Sequence, residues 1–556
     1  MVSLFNAMNI SANALTVNES AISVVSHNVA NMNTEGYSKQ KVNLATRNIS
    51  GVIGNNVEAQ IRANGGVMIA NVMRYNDSYL NGYYRDQLAQ LKEYEQQLDN
   101  LGDLAGIFDD LEGEGIDAAL SDFYEALNNL NEYPASSTAR TNFIETAKTL
   151  TSVLNSKSIQ LDELTSKALG DGVSEEALQN SKIYTQYINF NDKLGQLAEI
   201  NNALCRTQTG TLQANNLLDK RDMILNEISE FMEITVEERQ NGSVTIYSGN
   251  TALVRGSVVT GELEIQTADA YCKANNIKYP AEWIVTDKYG KPILDENGKE
   301  IPREAAVISI VRKTETGKEI VVADANDEIR GGSIGALIHS ADLEADGMNV
   351  GKAQESLNNL AQAIANIFND LNTREGAYSI DPTDTGKLID SADDNYIFVG
   401  ANGDGTGVTA GNIQINEKLL TDTGIWDIAC AYFAKGENFD EKAVGNAQNV
   451  ADMLLTRTQK PEAGTENFIL LNGMAIEDFY TSLVGKVAAG GNNLQTLYDT
   501  QSEVVDSIYN EITGNNSVDL NEELVDLVKY QTAYSASAQV FNTVNSCLDT
   551  LMALGN

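Results

Sequence analysis

The sequence predicts a mainly α protein with β insertions: a terminal α-helical coiled coil, an elongated helical bundle and outer β-rich domains, nested so that the N- and C-termini pair. Three observations lead there. All six prolines fall between Pro134 and Pro461, which frees both ends of the residue that most often breaks a helix. Both ends carry apolar stripes at helical spacing. A middle stretch switches to the period of two that marks strands.

At the N-terminus Ile10, Ala14, Val17, Ala21 and Val24 form one stripe, and Met8, Ala12, Leu15 and Ile22 form a second, interrupted by Glu19. A helix apolar on two faces suits the interior of an assembly or a crowded bundle. It runs into Ser26-His27-Asn28-Val29-Ala30-Asn31-Met32-Asn33-Thr34-Glu35-Gly36-Tyr37-Ser38-Lys39-Gln40. There Asn28 and Asn31 can bond local backbone and Gly36 permits a positive φ, so the helix should stop and the chain turn outward.

From Tyr79 to about Met232 the pattern is helical and predicts an elongated bundle. From Ile234 the period becomes two, and Ile234/Val236 and Val244/Ile246 flank Asn241-Gly242, a hairpin signal. Strand-like runs follow at Trp283-Ile284-Val285, Val307 to Val311 and Ile320 to Val322, with a turn at Asn297-Gly298. Helical spacing returns from about Gly335 to Thr373, where Leu357, Leu360, Ile364, Ile367, Phe368 and Leu371 share a side. A Gly- and Asp-rich stretch reads as short strands and loops before helices resume near Ala443.

The C-terminal stripe is the longest. Leu520, Leu524, Leu527, Gln531, Tyr534, Ala538, Phe541, Asn545, Leu548 and Met552 alternate steps of four and three, the spacing of a coiled-coil seam. Val540, Val544, Cys547 and Leu551 widen it. The expected organisation is therefore a terminal coiled-coil domain (1–40 and 515–556), a helical bundle domain (41–235, 336–375 and 436–514), a β-rich outer domain (236–335) and a small β/loop insertion (376–435).

Composition narrows the function. The 556 residues are enough for roughly three to five packed units at ~100–200 residues each. The chain is 42% apolar, and no apolar run approaches the ~18 residues of a membrane span. A net charge of −40 argues against nucleic acid and against an anionic membrane surface, both of which call for clustered cations. Residues 1–50 and 515–556 together sum to only −3, leaving −37 for the rest. Ends so weakly charged suit packing among like neighbours, with the middle facing water.

Residues suited to chemistry are scarce. His27 and His339 are the only histidines, and no H-E-x-x-H, G-x-S-x-G or Walker A pattern occurs, so no catalytic, cofactor-binding or metal-binding residue is assigned. His339 reads as a structural histidine. The loop Asn402-Gly403-Asp404-Gly405-Thr406-Gly407 is like a calcium loop only faintly, because Ile413 stands where the bidentate acid belongs. Cys205, Cys272, Cys430 and Cys547 lie far apart without ligand spacing and read as packing residues. The N-terminus lacks the basic start and apolar core of a secretory signal, so export would need another route.

The Ser26 to Gln40 sequence resembles the N-terminal signature of the flagellar rod, hook and hook-associated proteins. Asp519-Leu520-Asn521-Glu522-Glu523-Leu524, leading into Tyr530-Gln531-Thr532-Ala533-Tyr534, resembles that family's C-terminal end. Within it, Gly36-Tyr37-Ser38-Lys39-Gln40, Phe123-Tyr124-Glu125-Ala126-Leu127 with Pro134 and Arg140, and Asn216-Leu217-Leu218-Asp219-Lys220-Arg221-Asp222 are similar to the hook-associated protein 1 family. The resemblance implies a non-enzymatic subunit that joins hook to filament, self-associated in a ring, with terminal helices lining a central tube.

It further implies an extracellular place on the flagellum, export by the flagellar type III apparatus, and an export chaperone. The implied partners are hook protein and a second hook-associated protein on the filament side. Asn28, Asn31, Thr34, Gly36 and Tyr37 form the expected assembly motif. Ile10, Ala14, Val17, Ala21, Leu520, Leu524, Leu527, Gln531, Tyr534, Phe541, Leu548 and Met552 form the expected subunit interface. A hook or distal-rod subunit is the alternative, and a secreted adhesin-like protein with flagellar ends a more distant one.

Overall fold

The computed structural model describes residues 2–48, 64–109, 115–275, 306–313, 319–324, 329–343, 345–391, 394–401 and 403–554. The expected strand at Trp283 and the turn at Asn297-Gly298 lie outside them. The fold is mainly α with β insertions.

Helix α1 (Val2–Asn31) leads into a hairpin of β1 (Gln40–Asn48) and β2 (Asn64–Arg74). Helices α2 (Ser78–Phe108), α3 (Ile116–Glu132), α4 (Ser137–Leu169), α5 (Glu175–Gln179), α6 (Lys182–Arg206) and α7 (Leu212–Phe231) follow. Side chains close their exposed N-terminal amides: Asp77 accepts from Tyr79 and Leu80 at α2, and Thr211 accepts from Ala214 at α7.

Four antiparallel strands come next: β3 (Thr235–Glu238), β4 (Val244–Ser248), β5 (Thr251–Arg255) and β6 (Val258–Val259). The β3–β4 turn sits at Asn241-Gly242, where Gly242 takes φ +81°. A second sheet joins β7 (Glu262–Thr267), β8 (Ala306–Lys313) and β9 (Glu319–Asp324), with α8 (Ala268–Asn275) after β7. Helices α9 (Gly332–Ile338) and α10 (Val350–Thr373) precede five short strands between Ala377 and Tyr432. The chain ends with α11 (Gln448–Leu455), α12 (Glu466–Leu470), α13 (Ile476–Asn516) and α14 (Leu520–Leu554).

Three larger cores form. The first buries Phe123, Phe143, Phe368 and Phe398 from α3, α4, α10 and the small insertion, with ring centroids 5.0–6.2 Å from Phe123. Ile413, in the place where a calcium loop would put its acid, is buried in it. The second packs α6, α7 and α9 against β4, β5, β7 and β8. The third is small and joins the chain ends: Ala21, Val24 and Val25 of α1, Val42 of β1 and Tyr530 of α14. Long α2 and α13 pack on each other; Gln501 bonds Gln87, and Tyr84 lies 6.0 Å from Tyr509.

The β1–β2 hairpin lies in a segment with no period-two reading in the sequence. Its alternation is broken by register shifts after Asn43 and Thr46, and polar Asn43, Asn71 and Arg74 interrupt the apolar positions.

A polar hub where both chain ends meet

Helix α1 ends at Asn31, whose Nδ2 donates to the His27 carbonyl at 2.9 Å, while Thr34 Oγ1 donates to Asn31 Oδ1 at 3.4 Å. The chain then reverses through Gly36 at φ +72°. A Cβ at Gly36 would push aside the flexible, exposed Met223 side chain of α7, so it is chiefly the positive φ that calls for glycine here.

This turn carries Tyr37 and Gln40 back to Asn28, which is 1% exposed and the centre of the site. Asn28 Nδ2 donates to the Gln40 carbonyl at 2.8 Å and to Glu523 Oε2 of α14 at 3.0 Å. Its Oδ1 accepts from the Tyr37 hydroxyl at 2.7 Å and from the Gln40 amide at 3.1 Å. Every hydrogen-bonding position of the amide is used, as a buried amide requires. One side chain thus joins the helix, the turn after it and the last helix of the chain.

Two further segments converge. Lys39 Nζ lies 2.6 Å from Glu522 and 3.5 Å from Glu523, and its amide donates to the Asn516 carbonyl at the end of α13. Burial works against the Lys39 charge, but Glu522 and Glu523 outweigh it and hold its pKa above the ordinary value. The start of α7 supplies Asn215 and Asn216, which bond the Gln40 side chain at 3.0 and 3.1 Å. Asp219 accepts from the Ser38 amide at 3.4 Å. Burial raises the Tyr37 pKa, and Asp219 and Glu523 add to it, so the phenol stays protonated as a donor.

From the hub an ion ladder runs outward along α7. Arg74 of β2 pairs with Asp219 at 2.9 Å and Asp222 at 2.6 Å, and Asp222 pairs with Arg221 at 2.7 Å. Arg221 reaches Glu238 of β3 at 3.0 Å and donates to the Gly242 carbonyl. Burial raises the Asp219 pKa despite Arg74. At Asp222 burial pushes the same way, but Arg221 and Arg74 prevail and its pKa lies below the ordinary value.

The structure thus brings the motif residues Asn28, Asn31, Thr34, Gly36 and Tyr37 together at one turn. It also adds Lys39, Gln40, Asn215, Asp219, Asp222, Arg74 and Glu523, which lie outside the motif expected from the sequence. The repeated acid and amide spacing of 215–222 on one helix was the available signal.

The interface residues divide. Val17 and Ala21 are buried, and Ile10 and Ala14 half-buried. On α14 the row turned to α1 holds Glu523, Leu527, Tyr530, Phe541, Val544 and Leu548. Leu520, Leu524, Gln531, Tyr534 and Met552 are exposed. The helix pair is therefore rotated from the expected seam, sharing with it Leu527, Ala538, Phe541 and Leu548, and much of the apolar surface of α14 is left exposed.

Comparison with known proteins defines the class first. The model described as "Flagella basal body rod protein" matches residues 8–37, and that for the C-terminal region of the basal body rod FlgEFG proteins matches 516–554. These are the two stretches of sequence that meet at the hub, and both are similar to flagellar basal body rod proteins. The helical-domain model of the flagellar hook-associated protein FlgK matches residues 101–293.

Two relatives are each called flagellar hook-associated protein 1. That of Bacillus subtilis is 23% identical, with 99% of this chain and 98% of the relative aligned. That of Salmonella typhimurium is 24% identical, with 98% and 99% aligned. A solved flagellar hook junction protein from Burkholderia pseudomallei shares the fold, with a TM-score of 0.51 at 12% identity over 79% of this chain and 100% of that one. Over nearly its whole length the chain is similar to the flagellar hook-associated protein 1 family.

Proposed function

We propose that this chain is a structural, non-catalytic subunit that joins the flagellar hook to the filament. The observation that carries the reading is the exposed apolar surface of α14, held at a fixed place by the hub. Leu520, Leu524, Val525, Val528, Tyr534, Val540, Leu551 and Met552 are exposed along this one helix, over several of its faces. Exposed apolar area on this scale marks a surface meant to be covered by another protein.

Copies side by side would cover it, with terminal helices around a central channel and the β domains outside. Ring closure, contacts with hook protein below and a second hook-associated protein above, chaperone binding and type III export extend this reading. No described helix is long and apolar enough to cross a membrane.

Deletion of residues 520–556 tests it. The first two cores contain no α14 residue, so the truncated chain is expected to fold and yet be missing from isolated flagella. Hooks should then be present and filaments absent. Normal filaments on such cells would overturn the proposal. Because both ends match rod-protein models, a rod or hook subunit is the second reading; the number of copies per flagellum separates the two, a short ring against a long polymer.

A further inference from the structure

We propose that the outward face of the β1–β2 hairpin is the docking surface for the first turns of α14 in a neighbouring copy of this chain. The inference rests on the reading that copies assemble side by side, and it specifies which surfaces meet.

Cross-strand register puts Lys41 opposite Met73, Asn43 opposite Asn71 and Ala45 opposite Met68, all on one face. The other face, with Val42 and Val72, packs into the small core on α1. Met73 is 52% and Met68 41% exposed on the outward face. Two exposed methionines on a solvated strand pair are out of place unless a partner covers them, and their flexible thioethers adapt well to a helix surface. On α14 the matching patch is Leu524, Val525 and Val528, at 47%, 67% and 61% exposed.

The two patches cannot cover each other within one chain. Both the hairpin and α14 turn their inner faces to α1, so their outer faces point away from it. Two different patches that complement one another between copies make a head-to-tail contact, and repeating such a contact closes a ring or extends a helix.

Charge decides the pairing. The chain has 78 acidic residues, yet β1 and β2 contain none. Beside the α14 patch stand the exposed carboxylates of Asp519 and of Glu522, the latter already paired with Lys39 of its own chain. In a chain of net charge −40, most surfaces of two copies repel. The acid-free hairpin, with Lys41 on its outward face, is a place where an acid-flanked apolar helix can approach without that repulsion.

The test is cysteine cross-linking on flagella. Exposed Cys205 and Cys547 are first changed to Ser. One full-length chain then carries Met73→Cys and a second carries Val525→Cys, made in the same cells. Isolated flagella are treated with a short bismaleimide. A band at twice the chain mass is expected only when both variants are present, and loss of that band in either single strain confirms a head-to-tail contact. Chains present in the flagella with no such band, or an equal band from either variant alone, would overturn the inference while leaving the assembly reading intact. Absence of the unsubstituted chain from flagella would instead sink the assembly reading. A Met73→Glu chain that folds as the parent by circular dichroism should be lost from flagella; its normal incorporation would count against the docking surface.

Discussion

Helices α10 and α14 are both long, free of proline and striped with apolar residues, yet they bury their stripes very differently. Along α10, Val350, Ala353, Leu357, Leu360, Ala361, Ile364 and Phe368 are all at most 3% exposed, because α3, α4, α11, α12 and α13 surround the helix. Among the described side chains of α14, only Glu523, Tyr530, Val544 and Leu548 are buried, because α1 is its main neighbour. The apolar period is the same kind of signal in both. What differs is how many partners the chain itself supplies, and the shortfall at α14 is the physical basis of the assembly proposed above. In the bundle a substitution should therefore change folding, whereas on α14 it should change assembly.

The largest effect belongs to the bundle. Phe123→Ala removes a fully buried ring in contact with Phe143, Phe368 and Phe398 and should cost about 3–5 kcal/mol. Urea unfolding of the purified chain measures this directly. A loss below about 1 kcal/mol would mean that the aromatic cluster is not the packed centre of the bundle.

The hub comes next, at the border of the two regimes. Asn28→Ala leaves Glu523 and the Gln40 backbone without their buried partner, an expected loss of about 1–3 kcal/mol. That loss should fall on the terminal helices alone. Hydrogen exchange of α1 and α14 amides should accelerate while α10 amides keep their protection. Equal acceleration in α10 would show that the ends and the bundle open as one unit, erasing the contrast between them.

Much of this contrast was legible in the sequence, and the reasons for the remainder are specific. Proline-free ends and the 3–4 stepping at Leu520 to Met552 marked long terminal helices, and Asn241-Gly242 marked the β3–β4 turn. The rotation of α14 about its axis was not legible. Apolar residues run along more than one face of this helix, and only its packing on α1 turns Tyr530 and Val544 inward and leaves Leu524 and Val528 outside. The hub was legible in part. Gly36 announced the turn, but Glu523 lies 495 residues from Asn28, and no local pattern reveals such a partner.

The ion ladder offers a smaller effect with a defined pH dependence. Asp222 is held below the ordinary carboxylate value near 3.8, so its stabilisation is complete above that pH and fades as pH falls through the lower folded value. Asp222→Asn should destabilise the chain at pH 7, by less than Asn28→Ala, because Arg74 keeps Asp219 and Arg221 keeps Glu238. The gap between parent and variant should stay level from pH 7 to 5 and narrow below about 3.8. Asp219 acts in the opposite sense: burial raises its folded pKa, so acid relieves it. A gap that widened in acid would mean that Asp222 behaves as Asp219 does and that the arginines do not dominate its surroundings.

The smallest effect on the isolated chain is expected where the effect on assembly is greatest. Val528 is 61% exposed on α14, so Val528→Ser removes little buried area and should shift stability by no more than about 0.5 kcal/mol. Next to a neighbouring copy the same change would put a hydroxyl into an apolar contact and reduce the area it buries. Cells making this variant should therefore export a stable chain yet carry fewer filaments. Buried Phe368→Ala reverses the pattern: a destabilised chain, with assembly lost only as far as folding is lost. If Val528→Ser left filament number unchanged, the exposed apolar residues of α14 would be ordinary surface, and the difference between α10 and α14 would carry no functional meaning.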